Sequence, residues 1–205
     1  MRRLLALAPL LALAACAGAA PADAPDETPA AVRTAPQSIL SYEVDAGAVV
    51  YPFVVSVMQN DADGVAFRFD LGEGRSTGTI SMSAAAVEGA TIMVNRFTSR
   101  AYNLTDKTSV WLAREPFARL RAGERVGLDL GQGTHREFAG ACGASYTVGT
   151  AGGERYDVPA CRFETDDAGA IQTLVVADDP AQPLILSMQT GAFGVALQAA
   201  LPAGR

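Results

Sequence analysis

The chain has 205 residues, 49% of them hydrophobic and 19% charged, with a formal net charge of −6, one His and three Cys. A chain this apolar buries enough surface to offset its ordering entropy, which excludes a disordered protein. An acidic balance with a single lysine, Lys107, and scattered arginines excludes nucleic acid as a partner, because affinity for a phosphate backbone rests on clustered Lys and Arg. The lone imidazole excludes a metal site built on two or more histidines and routes any histidine-dependent mechanism through His135.

Residues 1–15 read as Met-Arg-Arg followed by a short apolar run interrupted by Pro9, the pattern of a secretory signal peptide. The run falls well short of the roughly 18–20 residues a membrane span requires. Its end, Leu13-Ala14-Ala15-Cys16, resembles the lipobox of bacterial lipoprotein precursors. That resemblance covers only this segment. It implies a diacylglyceryl group on the Cys16 thiol, cleavage before Cys16 and acylation of the new amino terminus. Two or three acyl chains give stable anchoring where one does not. Ala17 stands where many inner-membrane lipoproteins carry Asp, so the resemblance implies the outer membrane, with the domain facing the periplasm. Cleavage would leave 14 basic against 22 acidic side chains.

Residues 16–37 are Ala, Pro, Asp, Glu and Thr with almost no large apolar residue, the composition of a flexible linker. The remaining stretch, 38–205, is long enough for one domain with its own core, and no internal repeat divides it. Period-two alternation punctuated by Gly predicts strands at 39–44, 51–58, 65–71, 77–82, 91–96, 109–112, 125–130, 135–139, 171–177, 184–189 and 195–201. The pair 51–58 and 65–71 flanks Asn60-Asp61-Ala62-Asp63-Gly64 and reads as a hairpin with one buried face. Ser83 is a good N-cap for a helix over 84–88, with Gly89 placed for a left-handed cap. A second helix is expected over 115–122, with Pro116 in its first turn and Gly123 after it. Neither is long enough for a parallel crossover fold. The expected class is therefore all-β and mainly antiparallel with two short helices, as a sandwich or an open half-barrel.

With Cys16 used by lipid, Cys142 and Cys161 remain in an oxidising compartment, where pairing is the default. A turn at Thr150-Ala151-Gly152-Gly153 sets Val148 opposite Arg155, Tyr146 opposite Asp157, Ala144 opposite Pro159 and Cys142 opposite Cys161. Directly opposed residues lie within disulfide reach. No Cys-x-x-Cys motif is present, so the pair reads as structural rather than redox-active.

Three further sets invite chemistry. Gly74-Arg75-Ser76-Thr77-Gly78 matches the Gly-x-Ser-x-Gly elbow of α/β-hydrolases, and Ser76, Asp106 or Asp129, and His135 follow in permissible order. An elbow needs a helix after its Ser, whereas residues 79–82 continue as a strand, so a Gly-rich turn is the simpler reading. Asp61, Asp63 and Asp70 occupy the third, fifth and twelfth positions of a calcium-binding loop. Gln59 stands first where Asp is needed, the twelfth residue is not Glu, and no helix flanks the segment. The pairs Asp166-Asp167 and Asp178-Asp179 precede turn signals and read as loops. Trp111 reads as core, with a ligand-lining role as the other option. No cofactor is called for.

The expected function is thus that of an envelope protein held to the membrane by acyl chains on Cys16, its β domain binding an apolar ligand or a partner protein. A periplasmic serine hydrolase using Ser76 and His135 is the alternative. In the half-barrel form the domain would resemble carriers and receptors that handle lipoproteins or lipids. A deep apolar pocket would point to lipid binding, and a filled core with a flat polar rim to a scaffold.

Overall fold

The computed structural model describes residues 32, 34–150, 152–165 and 171–202. The expected signal peptide, Cys16, most of the linker and the Asp166-Asp167 pair lie outside the described residues.

Alternation builds eleven strands: β1 (Ile39–Asp45), β2 (Val50–Asp61), β3 (Gly64–Asp70), β4 (Thr77–Ser83), β5 (Ala101–Leu104), β6 (Val126–Leu128), β7 (Arg136–Gly149), β8 (Arg155–Thr165), β9 (Gln172–Ala177), β10 (Ile185–Thr190) and β11 (Phe193–Leu201). Helices α1 (Ala84–Gly89) and α2 (Arg114–Arg121) follow β4 and β5. The fold is all-β with two short helices. One sheet holds all eleven strands in the order β5-β4-β3-β2-β1-β11-β10-β9-β8-β7-β6, antiparallel apart from β4–β5 and a single parallel bridge between β7 and β11.

A stretch expected as a strand, 91–96, instead stitches the ends of this sheet together. Met93 N donates to Asp129 O and Asp129 N to Thr91 O, just past β6. Thr108 N donates to Ile92 O and Val94 N to Thr108 O, just past β5. Four backbone bonds thus satisfy groups that an open edge would expose. The 109–112 stretch likewise is no full strand: Trp111 bridges Leu184, with Leu112 N bonded to Pro183 O and Ile185 N to Val110 O. Strand β5 has no counterpart among the expected elements.

Of the two helices, α1 is capped as its sequence implies, with Ala86 N donating to Ser83 Oγ. Gly89, however, closes the helix itself, and the chain leaves through an extended Ala90 rather than a left-handed glycine. The cap after α2 is as expected: Gly123 takes φ +86° and donates to Leu120 O.

Two apolar clusters form, because the middle of the sheet is covered on both sides. In β9, Leu174 and Val176 join one cluster while Val175 and Ala177 join the other. The smaller cluster packs Phe117 and Leu120 of α2 on Phe138, Phe163 and Cys161, with Phe117 edge-on to Phe163 at 6.3 Å. The larger is built from the inward residues of β1 to β4, including Leu40, Val55, Phe67, Phe69 and Ile80, over which Trp111 lies buried against Phe67 at 5.6 Å. Trp111 is therefore core.

Cys142 and Cys161 are disulfide-bonded, directly opposed with their Cα atoms 3.8 Å apart. The register leading to them differs from expectation by one residue. Val148 pairs with Tyr156, Tyr146 with Val158 and Ala144 with Ala160, and a bulge between Cys142 and Ala144 then restores the opposition of the cysteines. The bulged residue is Gly143, at φ +100°, a conformation that side chains resist. Beyond the bulge the hairpin bends over the sheet, so that Gly149 meets Ala199 and Tyr146 Oη donates to Leu197 O.

Candidate functional site

At one end of the sheet the inward residues do not meet. β1 contributes Tyr42 and Val44, β2 Tyr51 and Phe53, β10 Ile185, Met188 and Thr190, and β11 Phe193 and Val195. The crossing stretch supplies Met93, Val94 and Phe97, and Ser109 and Val110 close the floor. Together they enclose a cavity of about 580 Å³, within the range of sites for small organic ligands. Its exposed lining residues, Ala46, Arg96, Gln132 and Ala192, mark the mouth.

Aromatic rings set the shape of the well. Phe53 contacts Tyr42 at 5.8 Å and stacks on Phe97 at 5.4 Å, so the crossing stretch is seated on the sheet by ring packing. Tyr42 is fully buried and donates to Ile185 O at 2.9 Å. Burial, with the neighbouring Tyr146 phenol adding to it, pushes the Tyr42 phenol well above its usual range, which keeps it neutral. Its hydroxyl is engaged in holding β10 to β1 from within.

Val110 carries backbone strain at the cavity floor. Its φ of +67° is unfavourable for a β-branched side chain. The flanking bonds from Ile185 N to Val110 O and from Leu112 N to Pro183 O hold it there. At the mouth, one carboxylate oxygen of buried Asp129 accepts from the amides of Gly131, Gln132 and Gly133 at 2.8–3.0 Å. Gln132 then reaches Thr190 Oγ1 at 3.3 Å, and Asn95 Nδ2 donates to Leu130 O at 2.7 Å. These bonds make a polar collar on an apolar well.

Ser76 and His135 lie outside this lining. Ser76 ends the β3–β4 connection, where its carbonyl accepts from Leu71 N, and β4 begins at Thr77, so a strand follows it and not a helix. His135 is exposed before β7, with Nε2 3.3 Å from Thr91 Oγ1. Among the described residues no hydrogen bond joins the two. Among the described residues the lining contains no His, Cys, Asp, Glu or Lys.

Asp61, Asp63 and Asp70 are not brought together. Asp61 accepts from Gln59 Nε2 and Asp63 N in the β2–β3 turn, which holds its carboxyl below the usual range. Asp70 stands at the other end of extended β3, roughly 20 Å away at about 3.3 Å per residue, and accepts from Gly72 N. A calcium loop would have to fold back on itself where this segment runs straight. Among the described residues the one close grouping of metal-ligating types is Cys142, Cys161 and Asp178. Its sulfurs are bonded to each other and Asp178 pairs with Arg121 at 2.7 Å, so it offers no ligand set.

The cavity was not legible as a site because its walls come from separated stretches. The nearest signal was the aromatic content of 51–53 and 97. No known protein family, curated protein or solved structure matches the chain at a significant level.

Proposed function

We propose that the protein is a lipid-anchored component of the bacterial cell envelope, tethered through acyl chains on Cys16 at the outer membrane. Its periplasmic β domain binds an apolar ligand. The carrying observation is the well of about 580 Å³ walled by Tyr42, Phe53, Phe97, Met188 and Phe193. A chain selected only as a scaffold has no need of such a space, since unfilled apolar volume costs stability. The same well favours a ligand over a partner protein as the primary occupant.

Thr34 and the mouth lie at opposite ends of the domain. Thr34, where the described chain begins its run, hydrogen-bonds Asn60 at the far end of β2 from Tyr51, roughly 30 Å along the strand. A linker from Cys16 to Thr34 reaches at most about 60 Å, enough for the mouth to face either the membrane or the periplasm.

Photocrosslinking in intact cells fed a diazirine-bearing fatty acid tests the reading. Adducts are expected on the peptides carrying residues 93–97 and 185–195, and Ala192→Trp, which plugs the mouth from an exposed position, is expected to abolish them. Adducts confined to Cys16, or unchanged in the variant, would overturn it. Labelling of Cys16 with a lipid precursor, lost in Cys16→Ala, tests the anchor separately.

A further inference from the structure

The lining of the well holds one charged side chain, Arg96, at its mouth. Among the described residues no carboxylate pairs with it. A second guanidinium, that of Arg75, lies 4.4 Å over the ring of Tyr51, itself a lining residue. Asp45, next to the rim residue Ala46, has a carboxylate oxygen engaged by the amide of Gly47 at 2.8 Å. The Asp129 carboxylate nearby is likewise engaged by backbone amides, so neither acid forms an ion pair with Arg96, whose guanidinium is left for a ligand. A neutral hydrocarbon would gain nothing from it, whereas an anion would gain charge-assisted hydrogen bonds from a planar guanidinium.

Volume limits the tail. A cavity of about 150 Å³ holds one benzene, so about 580 Å³ takes four times as much, or about 24 carbons. One acyl chain of about 16 carbons fits by this measure, and two such chains do not. Val44, Phe53, Met188 and Val195 supply apolar wall to the well, while Gln132 and Thr190 contribute neutral polar groups to the same lining.

We propose that the well takes a single-chain amphiphile with an anionic head group, its tail among the aromatic residues and its head on Arg96. This rests on the reading of the cavity as an apolar-ligand site and narrows it to a chemical class. The head can be a carboxylate, as in a free fatty acid, or a phosphomonoester, as in a monoacyl lipid, because both offer paired oxygens to the same guanidinium.

The test is equilibrium binding to the full-length protein held in phosphatidylcholine vesicles, with protein-free vesicles as the blank. The probes are laurate, dodecyl phosphate and the uncharged dodecanol, each below its micelle concentration. At least one anion is expected to bind about tenfold more tightly than dodecanol, the equivalent of ~1.4 kcal/mol. Arg96→Gln should bring that preference to within about twofold while dodecanol affinity stays unchanged, as suits one charge-assisted contact at a partly exposed site. The tighter of the two anions identifies the head group. A two-chain phosphatidate with 16-carbon tails, which exceeds the volume of the well, should fail to compete.

Dodecanol binding with no anion preference, a preference that survives Arg96→Gln, or competition by the two-chain lipid would overturn the inference and leave the apolar-ligand reading standing. Failure of all three probes would instead overturn that reading itself.

Discussion

Cys142 and Cys161 meet because two departures from a regular hairpin cancel. The turn shifts the register by one residue, and the Gly143 bulge shifts it back. The alternation between the cysteines revealed that they oppose each other. It could not reveal the route, since a bulge is encoded by one permissive residue among many glycines. Closing a loop with a sequence separation of 19 should stabilise the fold by about 3 kcal/mol in the chain-entropy view. Replacing both cysteines with Ala is therefore expected to lower urea stability by about that amount, and a loss near zero would show that the crosslink constrains little. Tyr42 makes a second residue-scale prediction. Its phenol is neutral when folded, with an affinity for its proton raised above the unfolded value near 10, so the folded state binds more protons in alkaline solution. The stability it contributes is present below about pH 10 and is lost as pH rises toward the folded value. Tyr42→Phe should cost about 1 kcal/mol at neutral pH through the lost bond to Ile185 O, and should flatten the decline above pH 10. Parallel pH profiles for the two proteins would contradict this.

At the scale of elements, most strands were readable because each buries one face, and alternation then marks both the strand and its inward residues. Phe53, Val55 and Val57 on β2 and Val65, Phe67 and Phe69 on β3 are buried as their spacing implies. The stretch 91–96 alternates in the same way yet forms no strand, because its few hydrogen bonds are divided between two partners that lie far apart in sequence. Periodicity reports which side chains face inward and is silent about who accepts the backbone bonds. β5 was missed for the converse reason: Ala101, Tyr102, Asn103 and Leu104 are too few to establish a period. If 91–94 links the two ends of the sheet, the amides of Met93, Val94, Thr108 and Asp129 should exchange with solvent as slowly as those of neighbouring strands. Asp129→Ala removes the acceptor for three loop amides and is expected to cost about 2 kcal/mol and to speed exchange of all four together. Loop-like exchange of these amides in the unaltered protein would show that the link is not held.

For the whole molecule, the fold class was legible and the cavity was not. Class follows from local patterning repeated along the chain. A cavity is the place where inward faces fail to meet, and that depends on how β1, β2, β10 and β11 and the crossing stretch are arranged in space. The motifs that looked most like chemistry, around Ser76 and around Asp61, Asp63 and Asp70, occupy turns, because Gly, Ser and Asp are also what turns require. The groups that shape the well, such as Phe97 and Arg96, sit in no motif.

The most direct test of the apolar-ligand account is thermal unfolding of the full-length protein in phosphatidylcholine vesicles, with and without saturating laurate or dodecanol. A ligand at about 100 times its dissociation constant adds ~2.7 kcal/mol to folding, which for a domain of this size raises Tm by about 5 °C or more. The account predicts that rise for the unaltered protein and its disappearance in Val195→Trp, which fills the well, and in Ala192→Trp, which covers it. No rise with either ligand, or an equal rise in both variants, would contradict it.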